Sequence, residues 1–233
     1  MGRSPGVTSL AAPSVAVVVP CYGPQAPVDR LLAEIPGSLR PGVIVVDDAS
    51  PTPIAVPDDI CLIRHPTNRG YGGAQKTGYA EALARGAERV ILLHGDAQYP
   101  TGPTLALAEA LDDHDAALGS RFLVGGGRSV PLWRRAGNRL LTRLANLRFG
   151  TDMSELHTGA RAYRAEVLRA LPLHRFSDDY LFDHQVLVAL LAAGAAIAER
   201  PVTATYDGEV QSISFPRAVR YGLGCLWTIA RGR

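Results

Sequence analysis

The chain has 233 residues and a net charge of +2, and of its 24 basic side chains only Lys76 is a lysine. A composition of 47% hydrophobic and 20% charged residues excludes disordered, collagen-like and coiled-coil classes, and the near-neutral charge gives no general reason to expect a polyanion partner. Cys21, Cys61 and Cys225 are scattered and lack CxxC spacing, which argues against a disulfide framework and against a zinc site, and predicts a reducing, cytoplasmic setting.

In chain order, residues 1–13 hold Gly2, Pro5, Gly6 and Pro13 without a continuous apolar run, so they read as a loose tail and not a secretory signal. Short apolar strands are predicted at Val15–Val19, Val43–Val46, Ile60–Ile63, Arg89–Leu93 and Ala116–Gly119. Helical stretches near Val28–Ile35, Ala74–Arg85 and Thr104–Leu111 separate them. Apolar strands alternating with helices predict an α/β fold, a mainly parallel sheet covered by helices on both faces. Such sheets bind ligands at the carboxyl ends of their strands. The informative residues are therefore those just after each strand: Pro20 to Tyr22, Asp47 to Ser50, Asn68 to Gly70, His94 to Gln98, and Ser120 with Arg121.

Beyond Gly125–Gly127, a helix is predicted over Pro131–Phe149, with Leu140, Leu141, Leu144 and Leu147 on one face and Arg135, Arg139 and Arg143 stacked at spacing four on the other. Between Arg121 and Arg148 there are seven arginines and no acidic residue, which fits a solvated face or the binding of phosphate or an anionic surface. The longest apolar run, Val186 to Ala198, is thirteen residues, short of the roughly 20 a bilayer-spanning helix needs. A final helix from Phe215 carries Val219, Leu223, Leu226, Trp227 and Ile229 among Arg217, Arg220, Arg231 and Arg233. That pattern suits packing on the core or in a homodimer, or peripheral contact with a membrane interface.

His94, Asp96 and Gln98 stand at alternate positions after a strand. Extended backbone would put them on one face, where an imidazole, a carboxylate and an amide could hold Mg2+ or Mn2+ against phosphate oxygens. Asp96 could equally cap the helix after Pro100. Asp47 or Asp48 could accept from a base imide or a ribose hydroxyl, or cap a turn before Ser50. The run Asn68 to Gly78 opens a helix with glycines whose N–H groups could approach an anion, although it is not a P-loop.

The ordered set VVVPCY, VIVVDDAS, NRGYGGAQKTGYAEAL, HGDAQYP, GSRF and TDMSELHTGARAYR resembles family 2 glycosyltransferases of the GT-A fold, closest in pattern to the dolichol-phosphate and polyprenyl-phosphate sugar synthases. The resemblance covers roughly Ser14 to Asp207. It implies one GT-A domain over 14–215, with a nucleotide-sugar half to about 122 and an acceptor half beyond it; the residue pattern adds an amphipathic helix over 216–233. It further implies that Pro20 and Tyr22 line the nucleotide pocket, that Asp47 or Asp48 holds the base or ribose, and that Asn68, Gly70 and Lys76 sit beside the nucleotide. Asp96 and Gln98 would occupy the metal and diphosphate site, Arg121 would face the diphosphate, and Thr158–Arg161 would border the acceptor.

Two departures from that family stand out: His94 replaces the first carboxylate of DxDxQ, and no membrane anchor is read in the chain. The implied reaction is inverting transfer of a hexose-type sugar from a nucleoside diphosphate donor, read as a uridine one. Asp183 is the expected general base for a hydroxyl acceptor, with Asp152 and His157 as alternatives. A lipid-phosphate acceptor needs no base but does need a cationic cradle, which Arg134, Arg135 and Arg139 could supply. An enzyme of that second kind would work peripherally at the inner membrane face. A nucleotidyltransferase lacks support because Pro20–Tyr22 stands where its glycine loop belongs. A nucleic-acid binder is disfavoured because no aromatics interleave the arginines.

Overall fold

The computed structural model describes residues 14–123, 132–204 and 215–232. The expected tail over 1–13, the Gly125–Gly127 triplet and Pro131 lie outside them. Seven strands form one sheet: β1 (Val15–Cys21), β2 (Val43–Asp47), β3 (Cys61–Arg64), β4 (Arg89–Leu92), β5 (Ala116–Ser120), β6 (Arg161–Arg164) and β7 (Ile197–Pro201). The spatial order is β3-β2-β1-β4-β6-β5-β7. β1 to β4 are mutually parallel, β6 runs antiparallel between β4 and β5, and β7 pairs parallel with β5. The five predicted strands are present. The sequence reading did not assign β6 and β7.

Alternation along the central strands sends side chains to two cores. Val17 and Val19 of β1, Val43 and Val45 of β2 and Ile91 of β4 meet Leu31 of α1 (Gln25–Glu34) together with Leu107 and Leu111. Ala16, Val18, Ile44, Val46, Val90 and Leu92 face the other way, onto Tyr79 of α2 (Tyr71–Ala84) and Phe182 and Val186 of α6 (Leu181–Ala192). Both faces are covered, which is why these strands read as unbroken apolar runs. The stretch expected as a helix over Thr104–Leu111 is instead a short α3 (Thr101–Leu105) running into a 3-10 turn over Ala106–Asp112. α4 (Leu132–Phe149) follows β5, and α5 (Ala165–Ala170) follows β6.

Two helices depart from their amphipathic reading. On α4 only Thr142 and Ala145 are fully buried, and Leu147 is 82% exposed, with Leu140 also exposed, so the expected leucine face splits between the core and solvent. α7 (Phe215–Arg231) buries Cys225, Thr228 and Ile229 against α4 and α6 but leaves Val219, Leu223, Leu226 and Trp227 exposed. Core packing thus accounts for one side of α7. No helix among the described residues is long and apolar enough to cross a membrane.

Candidate active site

Strand order reverses between β1 and β4, so a crevice opens at their carboxyl ends, where ligands bind in open α/β sheets. Gly95 makes this edge tight: a Cβ there would lie 2.6 Å from Cys21 Cβ and 2.9 Å from the Pro20 carbonyl, so only glycine lets the exit of β4 pass over β1. Tyr22, just past β1, is 60% exposed at the rim.

After β2, Asp47 and Asp48 are both buried. Asp47 accepts from Ser50 N (2.8 Å) and Ile54 N (3.1 Å) and pairs with Arg64, which folds back the loop beyond β2. Burial alone would raise its pKa, but the Ser50 and Ile54 hydrogen bonds and the Arg64 charge outweigh it and hold the carboxyl below its ordinary value. Asp48 Oδ1 meets His65 Nδ1 (2.6 Å) and accepts from Arg69 N (2.8 Å), while Oδ2 accepts from Gly70 N (2.9 Å). Asn68 Oδ1 also accepts from Gly70 N. Ala49, between these acids, has φ 60°, a backbone state that costs a residue with a Cβ.

The glycine-rich entry of α2 is used differently from its sequence reading. The N–H groups of Gly72 and Gly73 donate to the Asp178 carbonyl at 2.8 and 3.1 Å, so those donors hold the segment before α6 and do not face an anion. Gly70 permits the approach, with φ 88° and a virtual Cβ only 2.5 Å from that carbonyl. Lys76 reinforces the same junction through the Phe176 carbonyl and Asp178 Oδ1 (2.9 Å), with its ammonium over the Phe182 ring.

Beyond β4, the extended alternation assumed for His94, Asp96 and Gln98 breaks. Ala97 N donates to the His94 carbonyl (3.1 Å), and Ala97 has φ 55°, so a turn separates His94 from the next two residues. Asp96 and Gln98 form a unit at the surface, with Gln98 N and Nε2 donating to the two carboxylate oxygens at 3.1 and 2.7 Å. His94 Nε2 instead lies 2.8 Å from Tyr71 Oη, and that hydroxyl donates to Asp183 Oδ2 at 2.9 Å. Since Tyr71 has one proton to give, His94 Nε2 carries its own. Burial and the Asp183 charge raise the Tyr71 pKa well above its usual value, so the phenol stays protonated. An exposed carboxylate with an adjacent amide suits a hard divalent ion that keeps waters and binds phosphate oxygens, and Asp96 with Gln98 fits such an ion without His94.

Asp183 sits in the first turn of α6, only 8% exposed; Oδ2 receives Tyr71, while Oδ1 is buried without a hydrogen-bond partner. The buried Arg161 guanidinium supports it, with Nε 3.8 Å from Oδ2 and one terminal nitrogen donating to the Asp183 carbonyl. Burial disfavours the Arg161 charge, but the Asp183 carboxylate more than restores it and raises its pKa. The Thr158–Arg161 turn reaches the same place: a Cβ on Gly159 would lie 2.5 Å from His94 Nε2, and Gly159 N donates to Tyr99 Oη at 2.9 Å. Tyr180 stacks on Tyr71 at 5.2 Å. The structure thus joins His94, Tyr71, Asp183 and Arg161 in one network.

The remaining candidates lie elsewhere. Asp152 is exposed in the loop after α4. The His157 ring is engaged away from Asp183, with Nδ1 2.9 Å from Tyr221 Oη on α7 and the ring stacked on His184 at 5.2 Å; burial and the neighbouring His184 push its pKa well down. Arg121 is buried and clamped to Glu155, with a further bond to the His157 carbonyl (2.8 Å). Tyr71, Tyr99 and Tyr180 were not singled out from sequence, although a tyrosine among the glycines at 70–73 marked where an aromatic stands alone.

A profile for "Glycosyl transferase family 2" matches residues 16–171, which span β1 to α5 and most of this site. The chain belongs to glycosyltransferase family 2. Its relatives include the undecaprenyl-phosphate mannosyltransferase of Micrococcus luteus, 28% identical over 88% of this chain and 90% of that one. The polyprenol monophosphomannose synthase of Mycolicibacterium smegmatis is 28% identical over 81% of this chain and 76% of that one. Among solved structures, glucosyl-3-phosphoglycerate synthase from Mycobacterium tuberculosis, in complex with Mg2+ and UDP, superposes with a TM-score of 0.64 at 16% identity, covering 95% of this chain and 80% of that one. The fold is GT-A, as the motif resemblance implied, and the protein is a glycosyltransferase.

Proposed function

We propose that this family 2 glycosyltransferase moves a hexose from a nucleoside diphosphate donor, with uridine as its base, onto a polyprenyl-phosphate acceptor at a membrane surface, inverting the anomeric carbon. The observation that carries the acceptor is the set of large apolar side chains that α4 and α7 leave exposed. Leu140, Leu147, Leu223 and Trp227 stand exposed there on helices that also bear Arg139, Arg143, Arg220 and Arg231. Apolar side chains could enter the interface while guanidinium groups meet phosphate. The names of the relatives, which act on undecaprenyl and polyprenol phosphates, support the same reading.

The donor would occupy the β1–β4 crevice, with Pro20 and Tyr22 at its rim and the Asp47, Asp48, Asn68 and Gly70 loop beside the nucleoside. Lys76 would act by holding the segment before α6 in place. Mg2+ or Mn2+ on Asp96 and Gln98 would neutralise charge gathering on the leaving diphosphate. An acceptor phosphate oxygen attacks the anomeric carbon, the bond to the diphosphate breaks, and its electron pair leaves with the nucleotide. That nucleophile is already an anion, so no proton need be removed. Asp183 Oδ1 is then the natural acceptor for a hydroxyl of the transferred sugar.

A second reading, a hydroxyl acceptor with Asp183 as general base, is favoured by that same unpartnered oxygen. One assay separates them: UDP- and GDP-hexoses with Mn2+, offered undecaprenyl phosphate in detergent or a small soluble alcohol. The lipid reading expects product on the phosphate and a loss below about tenfold in Asp183→Asn, against roughly 100-fold or more if Asp183 removes a proton. Transfer to the alcohol alone would establish the second reading, and no transfer from any nucleotide sugar would overturn both.

A further inference from the structure

Next to the Asp183 network lies a side-chain cluster to which the proposed transfer assigns no role. His157 in the loop before β6, His184 in α6 and Cys225 in α7 each offer one ligand atom, and these atoms all lie within 4.8 Å of one another. Among the described residues it is the one such group of three; the Asp96 turn does not form one. His184 and Cys225 are fully buried. Buried polar atoms in folded proteins are normally paired, yet Nε2 of His157 makes no hydrogen bond, and the His184 ring, whose one polar neighbour of that kind is the Cys225 backbone, makes none of good geometry. Two buried imidazoles with unmet ring nitrogens beside a thiol in one cluster are what a ligand set without its ion looks like.

We propose that His157, His184 and Cys225 bind a transition-metal ion of the zinc class, a second metal site distinct from the Asp96 turn. Two borderline imidazoles and one soft thiolate suit Zn2+ or Co2+, whereas the carboxylate and amide at Asp96 and Gln98 suit Mg2+ or Mn2+. Tetrahedral coordination places such ligand atoms roughly 3.5 Å apart, so the cluster need close by only about 1 Å. The Tyr221 hydroxyl at 2.9 Å from His157 Nδ1 supplies the outer contact that orients a ligating imidazole; with Nδ1 donating to Tyr221, the Nε2 lone pair is left for the metal. On binding, the Cys225 thiol releases its proton to solvent and its sulfur becomes a thiolate ligand. The ion would tie α7 to α6 and to the loop entering Thr158. His184 follows Asp183 and His157 precedes Thr158, so the staple would brace both sides of the active site. The scattered cysteine spacing concealed this site, because its ligands come from three separate elements.

The test is to titrate the metal-free, reduced full-length protein with Co2+ alone and read thiolate-to-cobalt charge-transfer absorption. One equivalent should produce the band, and equimolar Zn2+ should abolish it. It should persist in Cys21→Ser and Asp96→Asn and vanish in Cys225→Ser. His157→Gln, which keeps a polar side chain at that position, should weaken Co2+ binding at least tenfold and serves should Cys225→Ser fail to fold. Saturating Zn2+ should raise the wild-type Tm by at least about 2 °C. No charge-transfer band in the wild type, or a band that survives in folded Cys225→Ser, would overturn the site.

Discussion

At the scale of single residues, the Tyr71 hydroxyl bridges His94 and Asp183. Tyr71→Phe deletes that bridge while keeping the ring stacked on Tyr180. Stability should fall by about 1 kcal/mol, the worth of an ordinary hydrogen bond. Sugar transfer should fall by a few-fold, no more than in Asp183→Asn, because Asp183 loses its orienting donor while its carboxylate stays in place. Asp47 supports a pH prediction. Its native pKa is held low, so the unfolded chain binds its proton first as pH falls. The stabilisation is present above the unfolded value of about 4 and is lost as pH drops from there through the native value. Wild-type Tm should therefore decline across that acid window, and Asp47→Asn, less stable at pH 7, should show a shallower decline; parallel curves would remove Asp47 from the account. Asp47, Asp48, Asp96 and Asp183 were all visible in the sequence because carboxylates after strands or at a helix start are scarce and placed. Their partners were not visible. Nothing local says that Asp47 meets Arg64, or that Tyr71 spans 112 positions to reach Asp183.

At the scale of elements, strands β1 to β5 were legible because two-sided burial leaves unbroken apolar runs. β6 was not, since Arg161–Arg164 reads as a polar turn. Its burial is tolerated only because Arg161 finds the Thr158, Leu156 and Asp183 carbonyls, partners unknown before folding. β7 carries Glu199 for a similar reason, accepting from Ser154 N and Glu155 N. The glycines of α2 read in sequence as a helix entry open to an anion and are packing residues in the structure: a Cβ on Gly78 would lie 2.3 Å from Val18 Cγ1. Gly78→Val should therefore overpack the α2–β1 contact and cost about 1–3 kcal/mol. For a chain of this size that is a fall of roughly 2–10 °C in Tm by calorimetry. Gly102→Ala is the matched control, because nothing lies within 4 Å of its added methyl. Equal shifts in the two variants would show that helix entropy, not close approach, decides the cost.

At the scale of the whole molecule, the question is why a protein with a well-filled double core leaves large apolar side chains in water. Trp227 is 53% and Leu223 63% exposed on α7, and the Arg231 guanidinium lies 4.1 Å from the Trp227 ring centroid. A monomer gains nothing from that exposure, whereas an interfacial helix gains from apolar insertion and from arginine meeting anionic headgroups. The two contributions separate experimentally. Sedimentation with phosphatidylglycerol-containing vesicles should capture the wild type at low salt and release much of it as ionic strength rises, since each basic residue near the surface adds about 1 kcal/mol that salt screens. Leu223→Ser with Trp227→Ser should lower binding at every salt concentration, while Arg143→Glu with Arg220→Glu should remove mainly the salt-sensitive part. A homodimer burying the same face would behave differently: vesicle binding would be weak, and the serine pair would convert a dimer to a monomer in sedimentation velocity. Capture by anionic vesicles with a monomeric free protein would place the acceptor site at a lipid surface, where a polyprenyl phosphate presents its headgroup.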